Sequence, residues 1–594
     1  MDSTLENVNF FGTDGIRGKT DTVSLTWMDA LKLFRKSAVI TPSLIELAVL
    51  SFTTLIGGTA ASTYVTGSDG RDAVNDNAFV RAMDNAFASG GATVYSLGTV
   101  PTPAVPQYQL LHGCHGAAML TASHNPSNQN GIKFFVNGKK LLPEGEISDI
   151  RLSRIMYEKA LAASKSGPSP VSGKSSSTGS VVQAEPANMI LDTLEKNIPY
   201  SRMKGMNFIL DTAAGAWTRY ADAFFAGHGL SCRRISEDEK GYNINRNCGV
   251  AEIEGHEKYT RAQIPYSPAI VRTLFENPAS YGIVTDGDGD RGMLLKYDAA
   301  SDCVRVYDGD EEAYLILGLL DRSGRLAPAS TIVCTLESDI MASVSFAGRF
   351  GCRSLITDVG DKWICNCADP ALSIGFESSG HVIIPMPLQN GLTLLSGNGL
   401  LTAALTALAL EEGLESFERG FSGTYYTYFV DKHLFAEGTA LFDEDASMLS
   451  AALGSALASA PAAIRDGLTF ERRFFKDRNV LSCAVLKDGM TVALIVSRNS
   501  GTEDKNAVYL KCVPSLTDVL RPVAEALTAR HRQAMRNADR PETAVARTIL
   551  DTIASTGRFA LTEEQKKDPL TTSVLHALER ERQIKGDGTV FVSF

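Results

Sequence analysis

A chain of 594 residues exceeds what one hydrophobic core supports, so it folds as several domains. With 44% hydrophobic and 21% charged residues, it has the apolar material for globular cores and not the composition of a disordered chain. A formal net charge of −11 excludes a protein built mainly to neutralise a nucleic-acid backbone, so any anionic ligand must meet a local basic pocket.

The chain opens with Asp2 and Glu6 where a secretory leader has basic residues before an apolar run, so no such leader is expected. The most apolar stretch, residues 38–58, carries Pro42, Ser43, Glu46 and a run of hydroxyl residues, which predicts a core helix and no membrane partner. The ten cysteines show no paired spacing for zinc, which predicts buried reduced thiols in a cytoplasmic protein. Short apolar segments run into Gly or Asp turns and then helical patterns at residues 64–66, 208–210 and 332–334. That alternation predicts α/β domains with largely parallel sheets, whose ligands gather beyond the strand C-termini. The Ser, Gly, Pro and Lys of residues 164–180 predict a surface loop or linker. Fresh strand–turn–helix patterns near Met206 and Thr331, a β-rich stretch over 468–512 and a charged helical pattern after Pro522 divide the chain. The expected domains are 1–188, 189–303, 304–416, 417–524 and a helical extension, 525–594.

Five segments carry chemistry. Phe11-Gly12-Thr13-Asp14-Gly15-Ile16-Arg17-Gly18 is a glycine-punctuated loop in which Arg17 offers a bidentate fork for an oxyanion. Thr121-Ala122-Ser123-His124-Asn125-Pro126 follows the apolar residues 117–120, and Pro126 blocks a smooth run into helix. Ser123 is thereby expected to be exposed on a loop beside His124, with Lys133 a few residues on. Asp286-Gly287-Asp288-Gly289-Asp290-Arg291 follows the apolar Tyr281–Thr285 segment. Its three alternate carboxylates can converge on one hard cation, and Tyr297 at the twelfth position excludes an EF-hand. Glu377-Ser378-Ser379-Gly380-His381 presents an acceptor, hydroxyls and an imidazole suited to a polyol. Arg498-Asn499-Ser500-Gly501-Thr502-Glu503 offers a guanidinium, hydroxyls and turn N–H groups suited to a phosphate dianion.

Together and in this order, across about residues 8–515, these segments resemble the α-D-phosphohexomutase superfamily, whose members include phosphoglucomutase, phosphomannomutase and phosphoglucosamine mutase. Gly67-Ser68-Asp69-Gly70-Arg71, the segment 98–103, Asp308-Gly309-Asp310 and Val359-Gly360-Asp361 agree as well. The resemblance implies a four-domain, heart-shaped architecture: three α/β domains with mixed sheets, then a C-terminal α+β phosphate-binding domain. It implies an isomerase that moves phosphate between the 6- and 1-positions of a hexosamine or hexose, through a phosphoserine at Ser123 and a sugar bisphosphate that also serves as primer. One Mg²⁺ would be held by Ser123, Asp286, Asp288 and Asp290. Lys133 and Arg17 would flank the phosphoserine with His124 and Arg291 nearby, and Lys133 would be the acid–base candidate. Glu377, Ser379 and His381 would grip the sugar, while Arg498, Ser500, Gly501 and Thr502 would hold the phosphate that is not transferred.

Residues 241–249 resemble the hexosamine branch, so glucosamine 6-phosphate is the expected substrate, with phosphomannomutase or phosphoglucomutase activity as the alternative within the family. Asp504 and Ala507 depart from the branch pattern, and Asn398 stands where the family generally has Asp. A catalytically reduced phosphosugar-binding regulator and a metal-dependent phosphatase are the readings from other classes, and a monomer or homodimer is expected.

Overall fold

The computed structural model describes residues 9–12, 15–165, 179–236, 241–367, 371–417, 421–428, 434–499, 505–537, 541–580, 584–586 and 590–593. It resolves into two compact units, Met1–Ser338 with Ser343–Phe417, and Asp339–Ala342 with Glu418–Phe594.

The first unit is built on three large mixed sheets. The first runs in the order Val39–Ile40, Ile16–Thr20, Gln129–Val136, Gly116–Leu120, Thr63–Ser68, Thr93–Thr99 and Ser180–Gln183, with Lys139–Lys140 also pairing Gln129–Val136. Its central strands read as unbroken apolar runs because helices cover both faces, and all five residues of Gly116–Leu120 are buried. The apolar residues 38–58 supply one of those covers, the Pro42–Leu55 helix. Thr41 caps it by accepting from the Leu44 amide at 3.3 Å, Pro42 opens it, and Phe52 stacks on Phe134 at 4.4 Å. Among the described residues no helix is long and apolar enough to cross a membrane. Of the segment read as a linker, Ser164 and Lys165 end the Asp149–Lys165 helix and Ser180 begins an edge strand, while 166–178 lie outside the described residues.

The second sheet has the order Ser231–Arg234, Asn207–Asp211, Tyr281–Thr285, Gly292–Asp298, Cys303–Tyr307 and Lys258–Thr260. The third has the order Arg353–Thr357, Thr331–Thr335, Leu372–Glu377 and His381–Ile383. The expected boundary at 304 cuts a strand: Cys303–Tyr307 pairs with Gly292–Asp298, so the second sheet continues through Tyr307.

The three sheets share one device. In each, a parallel strand ends in a short loop that returns as an antiparallel strand: Gly116–Leu120 to Gln129–Val136, Tyr281–Thr285 to Gly292–Asp298, and Leu372–Glu377 to His381–Ile383. The loops so created hold Ser123, the three aspartates and Ser379, at the carboxyl ends of parallel strands where α/β sheets bind ligands.

The second unit contains a five-stranded antiparallel sheet, Phe421–Tyr428, Lys505–Cys512, Met490–Asn499, Leu481–Lys487 and Leu468–Arg473. The Ala440–Ser459 and Thr517–Asn537 helices share its core through Leu449, Leu453, Leu520 and Leu527. The expected boundary at 525 therefore falls inside a helix belonging to that core. Beyond it, Pro541–Thr556 and Pro569–Arg580 are helices as expected, but they pack with a three-stranded sheet, Phe559–Ala560, Val590–Ser593 and Ile584–Gly586, around a core of their own. Strands of two to four residues are too short for periodicity to reveal.

Candidate active site

Ser123 is 1% exposed and adopts φ +53°, the left-handed region that a side chain bearing Cβ rarely visits. Its backbone is held from three directions. The Ser123 amide donates to Thr121 Oγ1 at 2.8 Å, while Arg71 Nη2 and Asn245 Nδ2 donate to the Ser123 carbonyl at 2.5 and 2.7 Å. Asp69 Oδ2 in turn accepts from both Arg71 Nε at 2.7 Å and Thr121 Oγ1 at 2.6 Å. The Asp69–Arg71 segment thus braces an energetically unfavourable backbone, the kind of strain that a functional site stores.

Asp286, Asp288 and Asp290 are at most 1% exposed, and one carboxylate oxygen from each lies within 4.8 Å of the others. Ser123 Oγ donates to Asp286 Oδ2 at 2.6 Å, joining the first and second sheets at one point. Lys133 Nζ donates to Asp288 Oδ2 at 2.7 Å and to Asp290 Oδ2 at 2.9 Å, and Thr102 Oγ1 donates to Asp288 Oδ2 at 2.8 Å. Burial and the neighbouring Asp288 and Asp290 push the Asp286 carboxyl well above the usual carboxylate range. Burial acts on Asp288 in the same direction, but the Lys133 ammonium outweighs it and holds that carboxyl below the usual range. Asp290 is also held low, with Lys133, His381 and Lys140 offsetting burial and the charge of Asp288.

The donor set fits a hard divalent cation. Asp288 Oδ1 and Asp290 Oδ1 are buried without a hydrogen-bond partner among the described residues, and three clustered carboxylates with no soft donor suit oxygen-coordinated metal. Gly289 makes the turn possible: its φ is +71°, a Cβ there would lie 2.2 Å from Trp217 Cδ1, and its carbonyl accepts from Trp217 Nε1 at 2.9 Å. Gly289→Ala is expected to distort the loop, weakening metal affinity at least ~10-fold on top of roughly 1–2 kcal/mol of backbone strain. Isothermal titration of the divalent ion checks this, and wild-type affinity would refute it.

In the third loop, Glu377, Ser379 and His381 are all buried. Glu377 Oε1 accepts from the Gly360 amide at 2.9 Å, and burial raises its carboxyl pKa. His381 Nε2 lies 3.4 Å from Asp361 Oδ2, and backbone bonds tie this loop to the aspartate loop: Gly292 N donates to Gly380 O at 3.0 Å. Arg291 Nη1 lies 3.0 Å from His124 Nδ1. Burial and the cations Arg291 and Arg17 push the His124 imidazole well below its usual pKa, so it is neutral at pH 7. Arg17 sits on the Ile16–Thr20 strand opposite Gly131, two residues from Lys133 in the partner strand.

The first unit therefore brings together Ser123, His124, Lys133, Arg17, Arg291, Asp286, Asp288, Asp290, Glu377, Ser379 and His381. Arg498 is buried on the Met490–Asn499 strand of the second unit, and Ser500, Gly501 and Thr502 lie outside the described residues, as does Asp504. Sequence reasoning assigned no role to Asn245, Thr102, Arg71 or Asp361, although segments containing each had drawn notice. It did not single out Lys140, whose Nζ lies 2.8 Å from Asp361 Oδ2.

Residues 8–152 match the phosphoglucomutase/phosphomannomutase α/β/α domain I family, and residues 308–422 match domain III of the same family. The chain is 31% identical over 407 residues to a phosphoglucosamine mutase from Thermoanaerobacter sp. strain X514, covering 68% of this chain and 78% of the relative. It is 30% identical to the phosphoglucosamine mutase of Caldicellulosiruptor saccharolyticus over 416 residues, covering 69% of this chain and 80% of the relative. Its fold is similar to that of a phosphoglucomutase/phosphomannomutase family protein from Burkholderia thailandensis, with TM-score 0.59, 18% identity, and coverage of 89% of this chain and 98% of that one. Sheets, loop order and relatives agree, and the chain belongs to the α-D-phosphohexomutase superfamily as a phosphosugar mutase.

Proposed function

We propose that the protein interconverts glucosamine 6-phosphate and glucosamine 1-phosphate through a phosphoserine at Ser123 and a bisphosphorylated sugar, with Mg²⁺ held by the phosphoserine, Asp286, Asp288 and Asp290. The observation that carries the reading is the 2.6 Å bond from Ser123 Oγ to Asp286 inside a buried acidic cluster that also holds the Lys133 ammonium. The choice of glucosamine rests on the relatives' names and on residues 241–249.

A sugar hydroxyl attacks the phosphorus on Ser123 Oγ, forming the new O–P bond as the Ser123 O–P bond breaks. Lys133 Nζ, held against two facing carboxylates, delivers a proton to the departing serine oxygen, and the proton of the attacking hydroxyl restores the ammonium. When bound, Mg²⁺ supplies charge neutralisation to the transferring group. Arg17 and Arg291 add cationic charge, neutral His124 orients against Arg291, and Glu377, Ser379 and His381 hold sugar hydroxyls. The intermediate then turns over so that its other phosphate meets Ser123, and Arg498 with residues 500–502 is assigned to the phosphate not in transit.

The test is an assay of glucosamine, mannose and glucose phosphates with Mg²⁺ and a bisphosphate primer, together with intact mass of the purified protein. Isomerisation fastest on glucosamine 6-phosphate and about 80 Da on Ser123 are expected. Phosphate release without isomerisation would make the protein a phosphatase, and binding without turnover a sensor; either result refutes the proposal. Chelation with EDTA is expected to reduce turnover to background and added Mg²⁺ to restore it; chelator-resistant turnover would remove the metal from the reading.

A further inference from the structure

The Asp361–Asn366 helix begins with two opposite charges, and each meets its complement on the first sheet's domain. Asp361 Oδ1 accepts from Lys140 Nζ at 3.0 Å, from the Lys139–Lys140 strand, and Oδ2 of the same carboxylate lies 2.8 Å from that ammonium. The next residue, Lys362, donates from Nζ to Asp149 Oδ2 at 3.0 Å, at the start of the Asp149–Lys165 helix. Asp149, Asp361 and Lys362 are buried and Lys140 is half-buried, its side chain 9% exposed.

Taking these charges out of water costs more in desolvation than apolar packing of the same volume would, so stability alone does not account for them. What a charge-swapped double pair provides is registry, because sliding or rotating either surface sets like charges together. The Lys140–Asp361 pair also bridges the two halves of the site. Lys140 Nζ is 3.7 Å from Asp290 Oδ2 on one side, and Asp361 Oδ2 is 3.4 Å from His381 Nε2 on the other.

We infer that Lys140–Asp361 and Asp149–Lys362 form a clasp that sets the position of the sugar-gripping loop relative to the phosphoryl-transfer loop, making Asp149 and Lys362 positioning residues for the reaction. Asp149 and Lys362 act by fixing the helix that carries Asp361, which in turn fixes His381. The kinetic consequence rests on the mutase reading; the structural one does not.

The pair remote from the metal loop is the one to test, with Lys362→Met, Lys362→Asp, Asp149→Lys and the double swap Asp149→Lys/Lys362→Asp. Two readouts are taken: kcat and KM for the preferred sugar phosphate, and hydrogen exchange of amides in residues 372–383. Lys362→Met is expected to raise KM on the order of tenfold with a smaller change in kcat, and to speed exchange in that hairpin. Either single reversal is expected to be worse, and the double swap to return KM to within about threefold of wild type and restore protection. Wild-type KM and protection in Lys362→Met would overturn the inference, as would a folded double swap that recovers neither. If Lys362→Met does not fold, the swap decides alone. If the wild type shows no isomerisation, the mutase reading fails while hydrogen exchange still judges the clasp.

Discussion

Ser123→Ala is expected to lose isomerase activity by at least ~10⁴-fold, the scale on which removal of a covalent nucleophile acts, while the protein keeps its fold. The expectation of a preserved fold comes from how the loop is held. Thr121, Arg71 and Asn245 all bind the Ser123 backbone, and none of those contacts uses the hydroxyl. The left-handed conformation strains serine and alanine alike, so the substitution adds no new backbone penalty. What is lost is the single bond to Asp286 Oδ2. A net change of about 0.5–1.5 kcal/mol follows for one hydrogen bond. Circular dichroism and thermal unfolding check the fold, coupled assays check turnover, and mass spectrometry should show the phosphate adduct gone. A variant that still isomerises at a rate near wild type would rule out the serine relay.

Much of this site was legible because its chemistry is concentrated in short segments. Alternate Asp and Gly after an apolar strand announces converging carboxylates, and Ser-His-Asn-Pro after another announces a turn, though the exposure expected for Ser123 gives way to burial at 1% once the second sheet's loop covers it. Each falls where a parallel strand gives way to an antiparallel one, and that was inferable only as a general preference for strand ends. The bracing was legible only after folding. Thr102 meets Asp288 across 186 residues and Asn245 meets Ser123 across 122, and nothing in either local sequence marks such a partner. Asp361 and Lys362 look like an ordinary helix start until the first domain's Lys140 and Asp149 are placed beside them.

Two further differences have simple causes. Pro522 was read as the point where helix begins, but the helix starts at Thr517. Pro522 is the sixth residue of that helix and stands inside it, where it forgoes the one amide bond that would run to the carbonyl of Asp518, so the proline marks neither end of the helix. Asn398 stands where the resemblance to the family led to an expectation of Asp, yet its Oδ1 accepts from the Leu401 amide at 3.1 Å and caps the Gly399–Glu411 helix, a service either side chain performs. That departure therefore leaves the local fold intact.

Lys133→Met is expected to separate two jobs that the lysine performs at once. Methionine keeps most of the buried stem but removes the ammonium, leaving Asp288 and Asp290 facing each other without the cation 2.7 and 2.9 Å away. In metal-free buffer the variant should be destabilised by about 3–5 kcal/mol, the usual result of stripping one partner from a buried ion pair. Millimolar Mg²⁺ should recover much of that loss, because an ion that binds only the folded state stabilises it and a site one positive charge poorer binds the ion more tightly. Turnover should not recover with it. If Lys133 also carries the proton for Ser123, activity stays down by ~10²–10⁴-fold, the contribution typical of a positioned acid–base group, even at saturating metal. Thermal unfolding with and without Mg²⁺ measures the first job, and kcat at saturating Mg²⁺ measures the second. Full recovery of kcat with metal would reduce the lysine to a counter-charge, and the proton donor would have to be sought elsewhere in the site.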